Sequence, residues 1–215
     1  ILQYASNINE AISIAKSRKT FVSESIMIGS APDSTTIIIE KTPDKMDVVY
    51  PQTNKIICTN HFQSSLLNNE SSNNDQKQNS ASLYRSERIN ELLAKVEKNT
   101  VSQTAYILRN QLGLNEKNIG MGNEKAINQL ICHHSIIFKP YEKLVWISTA
   151  PWQLGSYISY DLNKIFDSTF TFKNQEIYES NLTIEPDSFL NSKTYLDFKY
   201  FQKCKEHILA NVAVD

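Results

Sequence analysis

The chain has 215 residues, of which 40% are hydrophobic, and a formal net charge of −1. This length and composition allow a domain with a real core. The lysines and arginines are scattered rather than striped, so we expect no nucleic-acid partner and no binding to an anionic membrane surface. No apolar run approaches the roughly 20 residues that span a bilayer, so no membrane span is expected either. The chain start has no signal-peptide pattern, but a leader could lie upstream, and the localisation stays open.

The three cysteines, Cys58, Cys132 and Cys204, lie far apart and show no Cys-x-x-Cys spacing. Neither a disulfide framework nor a zinc knuckle is indicated. Cys58, His61 and residues 132–134 could gather around zinc in principle, but their spacing is not that of zinc sites. The sequence therefore predicts no metal.

The first sixty residues predict one helix and a set of strands. Asn7 followed by Glu10 is a capping box, and the apolar residues after it fall at helical spacing, which predicts a helix over 7–18. Short β-branched runs separated by Pro-Asp turn signals then predict an antiparallel meander. The predicted strands are residues 22–30, 35–41, 46–50 and 55–60.

Residues 64–82 are almost entirely polar apart from two leucines near the start. Such a composition cannot offset its ordering entropy by burial, so we expect a mobile polar loop. Because it follows a candidate site directly, it is either an entrance lid or a tolerated insertion.

The rest of the chain predicts helices followed by strands and a last helix. Apolar spacing indicates helices over 83–96 and 100–112, a hairpin at 134–139 and 144–149, and a strand at 156–161. Residues 169–178 have no assigned form. Tyr195, Phe198, Phe201 and Ile208 indicate a closing C-terminal helix. We divide the chain into a domain at 1–165 and an extension at 166–215.

A candidate site lies where an apolar run ends in Thr59-Asn60-His61-Phe62. A buried strand ending here would deliver a polar cluster, in which an Asn amide can donate toward a developing negative oxygen. A Thr-Asn pair is also typical of a simple chain turn. Both interpretations stay open on the residues alone.

Six motifs occur in order along the chain. The first five are Asn7-Ile8-Asn9-Glu10-Ala11-Ile12, Glu24-Ser25-Ile26-Met27-Ile28-Gly29-Ser30, Thr36-Ile37-Ile38-Ile39-Glu40, Cys58-Thr59-Asn60-His61-Phe62 and Ser82-Leu83-Tyr84-Arg85-Ser86-Glu87-Arg88. The sixth is a strand pair, from Ile131-Cys132-His133-His134-Ser135 through Leu144-Val145-Trp146-Ile147-Ser148. This series resembles the acyl-coenzyme A:6-aminopenicillanic acid acyltransferase-like family over roughly residues 5 to 165. That family belongs to the N-terminal nucleophile hydrolases and is similar to choloylglycine and other linear-amide hydrolases.

The resemblance implies an α+β fold, part of a four-layer αββα sandwich with antiparallel sheets. In such enzymes the mature chain begins with a Cys, whose thiol attacks an amide carbonyl and whose α-amino group takes the proton. This chain begins at Ile1. The resemblance therefore implies a scaffold portion, inactive without an N-terminal segment or chain that carries the Cys, and acting on a small acylated amide. That chemistry requires no cofactor.

The resemblance also assigns roles to residues. Asn60 is the expected oxyanion donor, and Arg85 is the expected cationic partner of the thiolate, with Arg88 as the alternative. His61 and Phe62 are candidates for the substrate side. On an alternating strand His61 would point to the face opposite Asn60.

Two alternatives remain at this point. The chain could belong to a relative that has lost catalysis and binds an acyl or amide ligand. It could also be a self-sufficient thiol hydrolase that uses Cys132 or Cys58 with a neighbouring histidine.

Overall fold

A computed structural model describes residues 1–169 and 176–212. Most of the stretch 169–178, which has no assigned form, lies outside the described residues. The helices are α1 (Ile8–Ser17), α2 (Ser71–Asn79), α3 (Ser82–Ala94), α4 (Val101–Arg109), α5 (Leu162–Ile165) and α6 (Lys193–Val212). The strands are β1 (Glu24–Ser30), β2 (Thr35–Lys41), β3 (Met46–Val49), β4 (Ile136–Lys139), β5 (Leu144–Ser148) and β6 (Tyr157–Asp161). Short 3-10 turns lie at Leu114–Glu116, Ser180–Leu182 and Ser188–Asn191.

The first sheet contains β1, β2 and β3 in that order, with antiparallel pairing throughout. Helix α1 begins where the Asn7 side chain accepts from the backbone N–H of Glu10 at 2.9 Å. Its apolar face, with Ile8 and Ala15, packs on Ile37 and Ile39 of the central strand. This helix and three of the predicted strands are therefore confirmed.

The fourth predicted strand, 55–60, is wrong, because residues 55–59 carry no assigned secondary structure and a bend begins at residue 60. A β-branched run favours an extended backbone, but a strand also needs a neighbouring strand to satisfy its backbone groups. Here a side chain makes such a contact, since Gln63 Nε2 donates to the carbonyl oxygen of Ile57 at 2.8 Å.

The second sheet contains β4, β5 and β6, also antiparallel, and confirms the predicted hairpin and the strand after it. One face of this sheet carries Ile137, Trp146 and Tyr157, which pack against Ala105 of α4. Because side chains alternate between the two faces of a sheet, these contacts show that α4 lies on one face of the second sheet. In the same way, α1 lies on one face of the first sheet.

The opposite faces of the two sheets approach each other. Met27 of β1 and Phe138 of β4 line the same cavity of about 810 Å³. At Gly29 an added Cβ would lie 3.2 Å from Pro140 in the turn between β4 and β5, which shows how close the sheets come there. These observations confirm the α+β class with antiparallel sheets. The four-layer arrangement itself stays a prediction.

The expected polar loop at 64–82 contains a helix, α2, and is corrected on that point. The segment 64–82 is ordered by the burial of Leu67 and by polar contacts, and these contacts cannot be inferred from its composition. Lys77 Nζ donates to the carbonyl oxygen of Asn68 at 2.8 Å, and Asp47 accepts from the backbone N–H of Leu66 at 3.0 Å. Hydrogen bonds to fixed partners replace the apolar burial that the segment lacks.

The C-terminal extension packs directly on the rest of the chain. Tyr195 of α6 is buried and lies edge-to-face with Trp152, with ring centroids 6.3 Å apart. The buried Arg109 of α4 donates to the carbonyl oxygen of Glu185 at 3.0 Å. A closing helix is confirmed, but Phe201 and Ile208, which were expected to pack, are 62% and 61% exposed.

Within the described residues, no helix combines the length and the apolar character that crossing a bilayer requires.

Candidate functional site

A cleft of about 540 Å³ lies between the start of β1, residues 58–62 and α2. It contains the motif residues Cys58, Thr59, Asn60, His61 and Phe62. The remaining lining residues are polar: Ser23, Glu24, Ser25, Ser72, Asn73 and Gln76. The structure therefore brings three of the sequence-predicted site residues, Asn60, His61 and Phe62, to one cavity.

Two buried side chains hold the backbone that follows Asn60. The Glu40 carboxylate of β2, which is fully buried, accepts from the backbone N–H groups of Gln63 at 2.7 Å and Ser64 at 2.9 Å. Asn73 of α2 accepts from the N–H of Phe62 at 2.7 Å and donates to its carbonyl oxygen at 3.0 Å. The site loop is thus held by the first sheet on one side and by α2 on the other.

Arg85 of α3 contacts Asn60 directly. Its guanidinium donates from Nη2 to Asn60 Oδ1 at 2.6 Å and from Nη1 to the carbonyl oxygen of Glu124 at 2.6 Å. A guanidinium can only donate, so the amide oxygen of Asn60 must face it. The amide NH₂ then points elsewhere, and no described residue accepts from it. Burial lowers the pKa of Arg85, but a guanidinium stays charged at any physiological pH.

Arg88 lies one turn further along α3 in a different environment. It is fully buried and donates to Glu116 at 2.8 and 3.2 Å and to Asn110 at 3.2 Å. It also forms an ion pair with Glu91 at 2.9 Å. The structure therefore places Arg85 beside the cleft loop and Arg88 in a separate network that joins α3 to residues 110–116.

Asn60 and His61 lie outside any strand, so the expected alternation of faces does not apply, and both residues line the cleft. Its Nδ1 atom lies 2.9 Å from Ser82 Oγ and 3.1 Å from Thr59 Oγ1, and those two hydroxyl oxygens are 3.1 Å apart. Burial is the main cause that lowers the pKa of His61, and the charge of Lys77 adds to it. Both causes favour the neutral form of the imidazole.

Among the described residues, the thiols lack an imidazole partner. Burial raises the pKa of Cys58, which lines the cleft and makes a weak contact of 3.7 Å to the carbonyl oxygen of Thr59. Cys132 is exposed, and no imidazole in the described part of the chain hydrogen-bonds any of the three thiols. Across residues 1–169 and 176–212, no three His, Cys, Asp or Glu side chains gather as a metal site would need.

Several residues at the site carry no sequence signal of their own. In the sequence, Glu40 is a polar residue at the end of a predicted buried strand. Asn73 belongs to the polar segment 64–82, which was expected to be a loop. Ser82 belongs to the motif that resembles the family, but nothing in its spacing from His61 predicts their contact. These roles depend on hydrogen bonds between groups that are 11 to 24 residues apart along the chain.

The structure thus defines an α+β protein with a polar cleft, in which an asparagine amide is oriented by an arginine. The model of the acyl-coenzyme A:6-aminopenicillanic acid acyl-transferase family matches residues 1–150. The chain belongs to this family, which confirms the resemblance and indicates an acyltransferase or amide-hydrolase type of activity on an acyl substrate. No curated protein and no solved structure matches the chain.

Proposed function

We propose that this chain is the scaffold portion of a cysteine N-terminal nucleophile enzyme that cleaves or transfers an acyl group at a linear amide bond. Its nucleophilic Cys is carried by an N-terminal segment or chain outside the printed residues. Asn60 stabilises the oxyanion, and Arg85 is the cationic partner. The single observation that carries the proposal is the hydrogen bond from Arg85 to the oxygen of Asn60.

That hydrogen bond supports the oxyanion role because it leaves the Asn60 NH₂ group for the cleft. Catalysis needs a donor that is already aimed at the charge before it develops, and Arg85 supplies this orientation. Asn60 is itself exposed at the cleft wall, so a substrate carbonyl can reach it.

The fixed charge of Arg85 supports the second role. A guanidinium near a thiol favours its thiolate form, which is the reactive species. Burial disfavours the thiolate of Cys58. Cys132 lies near enough to Arg85 for its charge to act on the pKa of Arg85, but no described imidazole contacts Cys132 to take its proton. This supports a nucleophile supplied from outside the chain over a self-sufficient Cys58 or Cys132 enzyme.

The layer order supports the fold that the proposal requires. Helix α1 covers one face of the first sheet, α4 covers one face of the second, and Met27 and Phe138 of the remaining faces share a cavity. This order of helix, sheet, sheet and helix is what a four-layer αββα sandwich with antiparallel sheets would contain. The cleft residues His61 and Phe62 then lie on the substrate side.

The test begins with the natural protein and every chain that stays with it under native conditions. Intact masses and N-terminal sequences show whether a partner segment begins with Cys. The same material is assayed for acyl transfer from an acyl-coenzyme A to 6-aminopenicillanic acid and for release of acyl groups from N-acyl amides. A terminal Cys that a thiol reagent labels with loss of turnover supports the proposal.

Turnover without such a Cys would overturn it. Binding of 6-aminopenicillanic acid with no turnover would instead identify the alternative, a non-catalytic relative that holds an amide or acyl ligand.

A further inference from the structure

A second cavity, of about 610 Å³, lies between the loop after β5 and helix α6. This volume is within the range of about 300–1,000 Å³ that is typical of small-molecule sites. Apart from Ala150, every residue that lines the cavity lies beyond residue 150, where the match to the acyltransferase family ends. The family therefore does not account for this cavity, and its function has to be inferred from its own side chains.

Two aromatic side chains, Trp152 and Tyr195, line the cavity. Tyr195 is buried, whereas Trp152 is half-buried. The indole of Trp152 lies edge-to-face with Tyr195 and with Phe198, at centroid distances of 6.3 and 5.9 Å. An indole that is fixed by such contacts and still lines a cavity offers a surface on which another flat ring can stack.

The loop that carries Trp152 is held in an unfavourable backbone conformation. Trp152 and Gln153 have φ values of 44° and 57°, in the left-handed region that such residues seldom adopt. The fully buried Asn128 donates from Nδ2 to the carbonyl oxygen of Trp152 at 3.1 Å. The buried Arg109 donates from Nε to the carbonyl oxygen of Gln153 at 3.3 Å. Backbone strain of this kind is common where a protein holds a ligand, and here the strained residue supplies the aromatic surface.

Helix α6 adds charged and polar side chains to the same cavity. Lys199 and Lys203 are four residues apart, so they lie on the same side of the helix. The Lys199 ammonium lies 5.8 Å from the centre of the Tyr195 ring, which places this charge beside the aromatic surface. Neither lysine forms an ion pair with a described side chain. The half-buried Gln202 and the exposed Glu206 complete the polar part, and two lysines with one glutamate leave the lining positive.

We propose that this cavity binds an adenine nucleotide. The base stacks on Trp152, the phosphate binds to Lys199 and Lys203, and the Gln202 amide pairs with the base edge. A glutamine side chain both donates and accepts, which matches the N6 amino group and the N7 atom of adenine. Two ammonium groups match a phosphate, whose charge approaches −2 at neutral pH. The proposal is independent of the proposed function, because no residue lines both this cavity and the cleft that contains Asn60.

The first measurement follows the indole N–H signals by NMR. The natural protein, with any chain that stays with it, is labelled with ¹⁵N and titrated with adenosine monophosphate (AMP). The printed chain has two tryptophans, and Trp146, which is buried against the second sheet, is the internal control. We expect the Trp152 signal to shift and the Trp146 signal to stay. A Trp152 signal that does not move at millimolar AMP would overturn the proposal.

Calorimetry with parts of the nucleotide separates the contributions of base and phosphate. AMP should bind at least tenfold more tightly than adenosine, which lacks the phosphate, and than phenyl phosphate, which lacks the base. Inosine monophosphate has an oxygen in place of the amino group, so it should also bind more weakly than AMP. If inorganic phosphate bound as tightly as AMP, the lysines would form an adventitious anion site only, and the proposal would fall.

Lysine variants with a matched control test the position of the charges. Lys199→Met and Lys203→Met should each raise the dissociation constant for AMP about tenfold, the effect of one lost hydrogen bond to a charged group. The dissociation constant for adenosine should stay unchanged in both. Lys205→Met removes the same charge from an exposed position of α6 outside the cavity, and it should alter neither constant. Equal affinities for AMP in all three lysine variants would contradict the proposed site. None of these measurements involves acyl turnover, so their outcome leaves the proposed function untouched.

Discussion

The Arg85 guanidinium lies 2.6 Å from the amide oxygen of Asn60, although 25 residues separate them in the chain. The same guanidinium is anchored at 2.6 Å to the backbone carbonyl of Glu124. The planar guanidinium of Arg85 therefore connects the start of α3 to the cleft loop and to the segment that follows residue 120. It also determines that the oxygen of the Asn60 amide is engaged while its NH₂ group is left for another partner.

Replacement of Asn60 tests the oxyanion role in the natural enzyme. We expect Asn60→Ala to lower kcat by roughly 10²- to 10³-fold, since one oxyanion donor contributes about 2.7–4 kcal/mol to transition-state stabilisation. KM should change little, because the charge develops only in the transition state. The matched control is Asn54→Ala, an exposed asparagine with no side-chain hydrogen bond in the described structure. A normal kcat in the Asn60 variant would contradict the role.

The dependence of Asn60 on Arg85 is measured by a double-mutant cycle. Arg85→Met removes the group that orients the amide, so we expect a loss of kcat in this single variant as well. In the double variant with Asn60→Ala, the losses should be clearly less than additive, because each change disables the same interaction. Additive losses in ln kcat would show that the two side chains act independently.

The buried carboxylate of Glu40 is expected to support the cleft loop. Glu40→Gln turns one acceptor into an NH₂ group that faces a backbone N–H, so the free energy of unfolding should fall by about 1–3 kcal/mol. Hydrogen exchange at the amides of Gln63 and Ser64 should accelerate at the same time. Glu97→Gln, at an exposed position whose side chain makes no hydrogen bond or ion pair in the described structure, is the control. Unchanged exchange at both amides would refute this role of Glu40.

Arg88 is expected to matter for stability. Arg88→Met removes hydrogen bonds to Glu116 and Asn110 from a fully buried position, and we expect the free energy of unfolding to fall by about 2–3 kcal/mol. Arg88→Lys should recover only part of the lost free energy of unfolding, because an ammonium group cannot reproduce the planar arrangement of guanidinium donors. Arg18→Met at the exposed end of α1 should stay within about 0.5 kcal/mol of the natural protein. Urea unfolding at pH 7 measures all three variants.

The same network predicts a dependence of stability on pH. Hydrogen bonds from Lys95 and then Arg88 lower the pKa of Glu91 from 4.5 to about 2. The folded state therefore binds this proton less readily than the unfolded state, so the stabilisation is complete above about pH 4.5 and is lost as the pH falls towards 2. In urea unfolding across this window, Glu91→Gln should show a flatter decline than the natural protein. Glu87→Gln, exposed on α3, should show the natural slope; an identical slope in the Glu91 variant would count against the prediction.

Local sequence patterns located most of the regular elements. The capping residue Asn7 and the apolar spacing after it predict α1, and β-branched runs between turn signals predict β1, β2 and β3. These patterns succeed because helix caps, side-chain periodicity and turn residues act over only a few positions. The pattern failed at 55–60, where an extended run has no partner strand, and at 64–82, where α2 is ordered by polar contacts from distant residues.

The candidate site divides in the same way. The sequence by itself determined the family, the α+β class and the motif around Asn60, because those signals are local and occur in a fixed order. Only the tertiary structure decided that Arg85 rather than Arg88 contacts Asn60, that His61 shares its cleft, and that Glu40 and Asn73 hold the loop. The hydrogen bonds of Arg85, Glu40 and Asn73 join groups that are 11 to 25 residues apart along the chain. Hydrogen bonds over such separations depend on how the elements pack, which no local pattern specifies.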